Sequence, residues 1–262
     1  VNGIDAWTAP ALSALPWLAH GVTRRAGGVS APPFDTLNLG LHVGDDPAAV
    51  VENRRRLAGR YGFTLDRTVC AEQVHGGAVA VVGPEEAGRG AVAFDAAVSG
   101  VDALVTVTPG LLLTLFFADC VPVLLADPVN RAVGVAHGGW RGLDAGVIAN
   151  TVAAMRDAFG SDPARLVAAV GPCIGPCCFE VGPEVADRFP AEAVAPRAVG
   201  GKPHVDLPAV AARLLREAGI APENVAVAGE CTSCLCALYF SHRRDRGQTG
   251  RMAAFAGIMP AP

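Results

Sequence analysis

Three side chains able to bind a metal or act as nucleophiles occupy similar settings in the chain: His75 in EQVHGG, Cys120 in FFADCVP and His137 in VAHGGWRG. Each falls where an apolar, strand-forming run stops. In folds of strands and helices, such strand ends expose polar side chains to a cleft. Glycines beside both histidines allow a ligand or a neighbouring side chain to approach the backbone closely. Two imidazole nitrogens and one thiolate suit a borderline-soft divalent ion, zinc best. Three protein ligands leave a fourth position open, the arrangement of catalytic rather than structural zinc, and such a metal brings the pKa of water towards ~7. The gaps between the three match no local metal signature, and each residue taken alone fits a buried thiol or a satisfied core histidine better than a ligand. Asp119, inside the hydrophobic run before Cys120, is costly unless it finds partners.

A second group of cysteines competes for the same chemistry. Cys173, Cys177 and Cys178 lie in GPCIGPCCFEV, and Cys231, Cys234 and Cys236 in ECTSCLCALYF. Spacings of CxxxC and CxxC could feed one four-thiolate zinc site. Only one clean CxxC is present and both segments are apolar, so these residues are read as buried thiols beside turns. Arginines form further clusters: Arg24 and Arg25 before a Gly-Gly turn, and Arg243, Arg244 and Arg251 near the C-terminus. An arginine fork binds phosphate in a bidentate manner, although clustered arginines also make ordinary solvated faces. Lys202 is the only lysine, so an anion site here is built from arginine. His20, His42, His204 and His242 have no convergent context.

The elements that must position these residues are legible from periodicity and caps. Val79–Val82, Asp102–Thr106, Leu111–Phe117, Val121–Leu125 and Arg131–Ala136 read as strands, several apolar on both faces. Leu166–Val170, Val225–Ala228 and Met252–Ile258 add three more. Asp46 with Pro47 starts a helix that runs through VENRRRLAGRY. A second helix is expected from Asp144, with Val147, Ile148, Thr151, Val152, Met155 and Phe159 on one face before Gly160. A third follows Asp206, with Leu207, Val210, Leu214 and Ala218 aligned before Gly219. AEAVAPRAVGGKP reads as a surface loop. The chain has 262 residues, 51% of them hydrophobic, enough for a large core. No linker divides it, and the expectation is one α+β (mixed α/β) domain over residues 1–262, with mixed sheets and helices outside.

A net charge of −4 argues against nucleic acid or an anionic membrane as partner. The most apolar stretch is interrupted by Asp119 and Pro122, too soon for a membrane span. VNGIDAWTAP lacks a basic region followed by an apolar run, so a cytoplasmic protein with reduced cysteines is expected.

Taken in order, HGVTRRAGGVS, FDTLNLGLHVGDDP with NRRRL, EQVHG, ADCVPVLLAD, AHGGWRG, GPCIGPCCFEV and CTSCLCALYFSHRRDRGQTGRM resemble a known bacterial family. Its members were described as multicopper polyphenol oxidoreductases or laccases and are now associated with purine nucleoside phosphorylase and adenosine deaminase activity. The peptidoglycan editing factor is among them. The resemblance spans His20 to Arg251, nearly the whole chain, and implies a single-domain layered sandwich of mixed β-sheets flanked by helices. It implies zinc, or copper, on His75, Cys120 and His137, which would also be the catalytic residues. It implies that Arg24, Asn38 and Arg141 contact a purine nucleoside. The implied reactions are phosphorolysis of adenosine, inosine or methylthioadenosine, and deamination of adenosine, in a monomer whose partners are nucleoside and phosphate. Other zinc deaminases use a separate Glu as acid and base, and Glu72 is the nearest in sequence.

Three other functions compete. A multicopper laccase needs roughly ten histidines for its coppers, a type-1 copper alone taking two with a cysteine. Six histidines exclude that design but leave a single-copper polyphenol oxidase. Cys120 as nucleophile with His75 or His137 as base would make a cysteine hydrolase, suited to editing peptidoglycan precursors. A non-catalytic metal-binding partner protein is the third.

Overall fold

The computed structural model describes residues 3–195 and 201–260. Its strands are β1 (Ala6–Trp7), β2 (Leu18–Thr23), β3 (Thr68–Cys70), β4 (Val79–Val81), β5 (Ala103–Thr106), β6 (Leu112–Phe117), β7 (Val121–Asp127), β8 (Ala132–Gly138), β9 (Val167–Val170), β10 (Val194–Ala195), β11 (His204–Val205), β12 (Val225–Val227) and β13 (Met252–Ile258). The helices are α1 (Pro10–Ser13), α2 (Pro47–Arg60), α3 (Trp140–Asp144), α4 (Val147–Phe159), α5 (Pro183–Ala186) and α6 (Leu207–Glu217). Two mixed sheets carry the architecture, one ordered β1-β2-β13-β6-β3 and the other β12-β9-β7-β8-β5-β4.

The doubly apolar strands explain the layering. Along β6, Leu113, Leu115 and Phe117 point into the core between the sheets, while Leu112 and Phe116 face outward beneath α2. Along β7, Leu124 and Ala126 enter the same inter-sheet core, and Val121, Val123 and Leu125 pack under α4 and α6. Strands covered on both faces lose the polar half of the alternation, which is why these runs look continuous in sequence. Each fully buried Leu contributes roughly 1.5–3 kcal/mol, so the inter-sheet core holds the two sheets, and the strand ends between them, in register.

The caps act as their residue types require. The Asp46 side chain accepts from Ala48 N, and that of Asp206 from Ala209 N. One expected boundary differs. The helix expected from Asp144 is two helices, because α3 ends at Asp144 and Gly146 takes φ 79° before α4 begins. A left-handed residue breaks the helical ladder, and glycine adopts it without a Cβ clash. The face of Val147, Ile148, Thr151, Val152 and Met155 is buried as its periodicity requires. Of the expected loop at 191–203, residues 196–200 lie outside the described ones. Its first part is structured instead: Ala191–Ala193 form a helical turn and β10, inside the expected loop, pairs with β11 just after it. Among the described residues no helix is long and apolar enough to cross a membrane.

Candidate functional site

His75, Cys120 and His137 converge. One ligand atom from each lies within 4.8 Å of the others, and Cys120 Sγ is 3.9 Å from His75 Nε2. Three separate devices aim them. His137 is the penultimate residue of β8, where its ring meets that of His75 edge-on at 4.8 Å between centroids. Cys120 sits in the break between β6 and β7, reached through Asp119 at φ 88°. His75 itself has φ 61°, a conformation that persists only where the surroundings hold it.

What holds it is Asp102, fully buried at the edge of β5. Its Oδ1 accepts from His137 Nδ1 at 2.7 Å and from His75 N at 3.0 Å. Its Oδ2 accepts from Val74 N at 3.1 Å and Gly76 N at 2.6 Å. One carboxylate therefore fixes the loop carrying the first histidine and the tautomer of the second, leaving His137 Nε2 free for a metal. Gln73 adds a second clamp: its Nε2 donates to Phe116 O at 2.9 Å and its Oε1 accepts from Phe116 N at 2.7 Å. Gly139 makes room, since a Cβ there would lie 2.8 Å from His75 Cδ2 and 3.3 Å from Cys120 Sγ.

The electrostatics prepare a thiolate. Burial opposes ionisation of Cys120, but His137 first and then His75 overcome it and bring the thiol down to about 6. Burial likewise opposes a charged His137, yet the Cys120 thiolate and Asp102 raise it to about 9. The result is a thiolate–imidazolium pair, and a divalent ion bound between them would displace the His137 Nε2 proton and take the charge's place. Tetrahedral zinc with one sulfur and two nitrogens needs donor separations of about 3.5 Å, so the donor set fits such an ion.

Asp119 finds the partners its burial demands. It accepts from Thr232 Oγ1 at 2.7 Å, Ser241 Oγ at 3.0 Å and Arg243 N at 2.7 Å. The strand break before Cys120 is thereby tied to the segment 232–243.

The trio opens into a cavity of about 550 Å³. Phe94, Phe116, Trp140 and Phe179 supply apolar faces, and Arg141, Arg243 and Arg251 supply positive charge. Arg141 lies over Trp140 at 4.3 Å from the ring centroid and Arg243 over Phe179 at 5.3 Å. His42 and His242 also line it. Burial, with Arg251 and Arg54 beside it, lowers His42 to about 4, so it is neutral at pH 7.

Of the residues expected from resemblance to touch substrate, Arg141 lines this cavity. Asn38 and Arg24 stand outside its lining. Asn38 is fully buried, and its Oδ1 accepts from Arg251 N at 2.8 Å, so it positions an arginine that does line the cavity. Arg24 pairs with Asp5 at 2.6 Å. Glu72 is also outside, its carboxylate accepting from Ser99 Oγ at 2.6 Å. Sequence reasoning missed Asp102, which looked like an ordinary strand residue, and Gln73, Phe94, His42 and His242, whose partners are distant in the chain. Among the C-terminal arginines, Arg243 and Arg251 reach the cavity, whereas Arg244 is engaged by Asp245 at 2.7 Å.

The cysteines expected to be buried thiols divide. Cys173 is buried, but Cys177 and Cys234 are exposed and Cys178 and Cys231 half-buried. Cys236 is exposed too, and Cys177, Cys178, Cys231 and Cys234 form a second convergent group.

The chain is similar to known proteins over nearly its whole length. The family described as multi-copper polyphenol oxidoreductase laccase matches residues 19–259. Purine nucleoside phosphorylase YlmD of Geobacillus stearothermophilus is 45% identical over 243 residues, covering 90% of this chain and 89% of the relative. Purine nucleoside phosphorylase of Deinococcus radiodurans is 43% identical over 259 residues, covering 96% and 95%. The crystal structure of the Geobacillus YlmD superposes with a TM-score of 0.93 at 42% identity, covering 99% of this chain and 97% of that one.

Proposed function

The chain belongs to this laccase-like polyphenol oxidoreductase family, and we propose that it is a metal-dependent purine nucleoside phosphorylase. The observation that carries the proposal is the single cavity in which Arg141, Arg243 and Arg251 and four aromatic side chains surround the His75–Cys120–His137 trio. The relatives' names supply the nucleoside and phosphate.

In phosphorolysis, phosphate attacks the anomeric carbon as the bond to the base breaks, with positive charge developing on the ribose. Aromatic faces sandwich a purine at little entropic cost. Arginines hold phosphate on the attacking side and exclude competing water. The departing base takes up a proton, a role we assign to His242, which lines the cavity. His75, Cys120 and His137 would hold zinc, which supplies Lewis acidity and acidifies water. Deamination of adenosine requires an acid–base group as well. Zinc deaminases use a carboxylate for it; among the described residues the cavity wall carries only Asp119, whose two oxygens already accept hydrogen bonds, so the arrangement favours phosphorolysis.

Incubating the zinc-loaded protein with adenosine, inosine or methylthioadenosine, with and without phosphate, tests this. Free base together with a ribose 1-phosphate, formed only when phosphate is present, supports the reading. Failure to release base from any of the three overturns it, and inosine formed from adenosine without phosphate makes it a deaminase.

A second reading rests on one feature: Cys120, His137 and Asp102 stand in the order thiolate, imidazole, carboxylate of a cysteine hydrolase. Amide or ester cleavage by metal-free protein, abolished by alkylation of Cys120, would favour that reading over the first.

A further inference from the structure

Four sulfurs that the proposed reaction does not use come together on the far side of the cavity wall. Cys177 and Cys178 follow the turn after Ile174, and Cys231 and Cys234 lie in the turn after β12. Their sulfur atoms all lie within 4.8 Å of one another. Cys234 Sγ is 3.5 Å from Cys177 Sγ and 3.4 Å from Cys178 Sγ.

We propose that Cys177, Cys178, Cys231 and Cys234 hold one zinc ion through four thiolates, as a closed structural site separate from the catalytic trio. The separations suit it. Zinc–sulfur bonds of about 2.3 Å at tetrahedral angles place sulfurs about 3.8 Å apart, whereas a disulfide needs about 2.05 Å. A disulfide also joins only two sulfurs, while Cys234 here touches two others at once. Four ligands close the coordination sphere, which marks a site that staples rather than catalyses.

The backbone is built around the cluster. Gly175 N donates to Cys231 Sγ at 3.2 Å, a bond that favours the ligating thiolate. A Cβ on Gly175 would lie 3.3 Å from Cys177 Sγ and 3.4 Å from Cys231 Cβ, so the close approach relies on glycine. Cys173 N donates to Glu230 O at 3.3 Å and Thr232 N to Cys173 O at 3.0 Å, locking the two turns side by side. Zinc with four thiolates carries a net charge of about −2, the four thiol protons passing to solvent. Positive charge is at hand. Arg243 Nη1 donates to Cys178 O at 3.3 Å and Glu180 O at 2.7 Å.

The site would fasten together two walls of the cavity. One turn carries Ile174 and Phe179. The other leads to Ser241, His242 and Arg243, and through Ser241 to Asp119 beside Cys120. Full-length protein purified under reducing conditions, saturated with zinc and desalted tests the proposal by metal counting. Cys120→Ala is expected to retain one zinc per chain, a count that holds whether or not the catalytic trio binds metal. Loaded with cobalt(II) instead, the same variant is expected to show the intense sulfur-to-cobalt charge transfer of a four-thiolate tetrahedral site. The double variant Cys177→Ser, Cys234→Ser is expected to lose that zinc and that spectrum. Cys120→Ala that retains neither zinc nor cobalt overturns the proposal, and this readout does not depend on the double variant folding. A native mass two hydrogens lighter with no metal bound overturns it too, in favour of a disulfide.

Discussion

Replacing Asp102 by Asn changes one atom in the described structure and separates the roles that a single carboxylate combines. Each oxygen accepts two hydrogen bonds: Oδ1 from His137 Nδ1 and His75 N, Oδ2 from Val74 N and Gly76 N. Whichever way the amide is turned, its NH₂ faces two donors. With the amide nitrogen towards His137, the ring must move its proton to Nε2 and loses the lone pair that a metal needs. With it towards Val74 and Gly76, the loop that holds His75 at φ 61° loses its anchor. Losing acceptors for these part-buried donors costs at most roughly 1–3 kcal/mol each, less where water reaches them, still a noticeable share of a typical stability of ~5–15 kcal/mol. Loss of the carboxylate behind a metal-binding histidine weakens metal affinity about 10- to 100-fold, or about 1.4–2.7 kcal/mol. The assay is competition with a chromophoric zinc chelator, following the zinc equivalent that is absent from Cys120→Ala, alongside urea unfolding. Asp102→Asn with wild-type zinc affinity and a wild-type urea midpoint would refute the assignment of Asp102 as the residue that orients the site.

Cys120→Ala is expected to abolish metal binding at the trio and nucleoside turnover together; full adenosine phosphorolysis by the metal-free variant would contradict the metal's role. Arg141→Ala removes a cavity-lining cation, and an arginine–phosphate hydrogen bond of ~1.5–3 kcal/mol predicts kcat/KM for phosphate lower by about 10- to 100-fold. Equal kcat/KM for both proteins across a phosphate titration would remove Arg141 from the anion site. His20, 5% exposed, accepts from Ala9 N at 3.2 Å, and burial lowers its pKa from 6.5 to about 4. Because the unfolded chain binds the proton more readily, this residue's contribution to stability is complete above pH 6.5 and is lost as pH falls towards 4, about 3 kcal/mol in all. His20→Gln should flatten the pH dependence of the urea midpoint over that interval, and an unchanged slope would show that His20 is not its source.

The amino-acid sequence alone determines the features encoded within a few residues of one another. The Asp-Pro starts of α2 and α6 are visible because a cap and its helix are contiguous. The apolar strands β6 and β7 are visible because double-sided burial erases their polar alternation. The types of the three converging ligands are visible because each stands at a strand end beside a special backbone residue. By contrast, β2 is hidden because Gly21 and His20 interrupt its apolar pattern, and the break at Gly146 was masked by a helical face that continues across it.

Tertiary structure decided everything that depends on partners far along the chain. Asp102 binds the loop 74–76 and His137, residues 26 to 35 positions away in sequence. Asp119 is satisfied by groups 113 to 124 residues distant. The same holds for the cysteines: Cys177 and Cys178 meet Cys234 across 57 and 56 residues, so a pattern that read as buried thiols becomes a convergent tetrad at the surface. Periodicity and capping arise from local backbone geometry and are therefore written locally. A site is a point in space shared by separate strand ends, and only the packing of the two sheets brings those ends together.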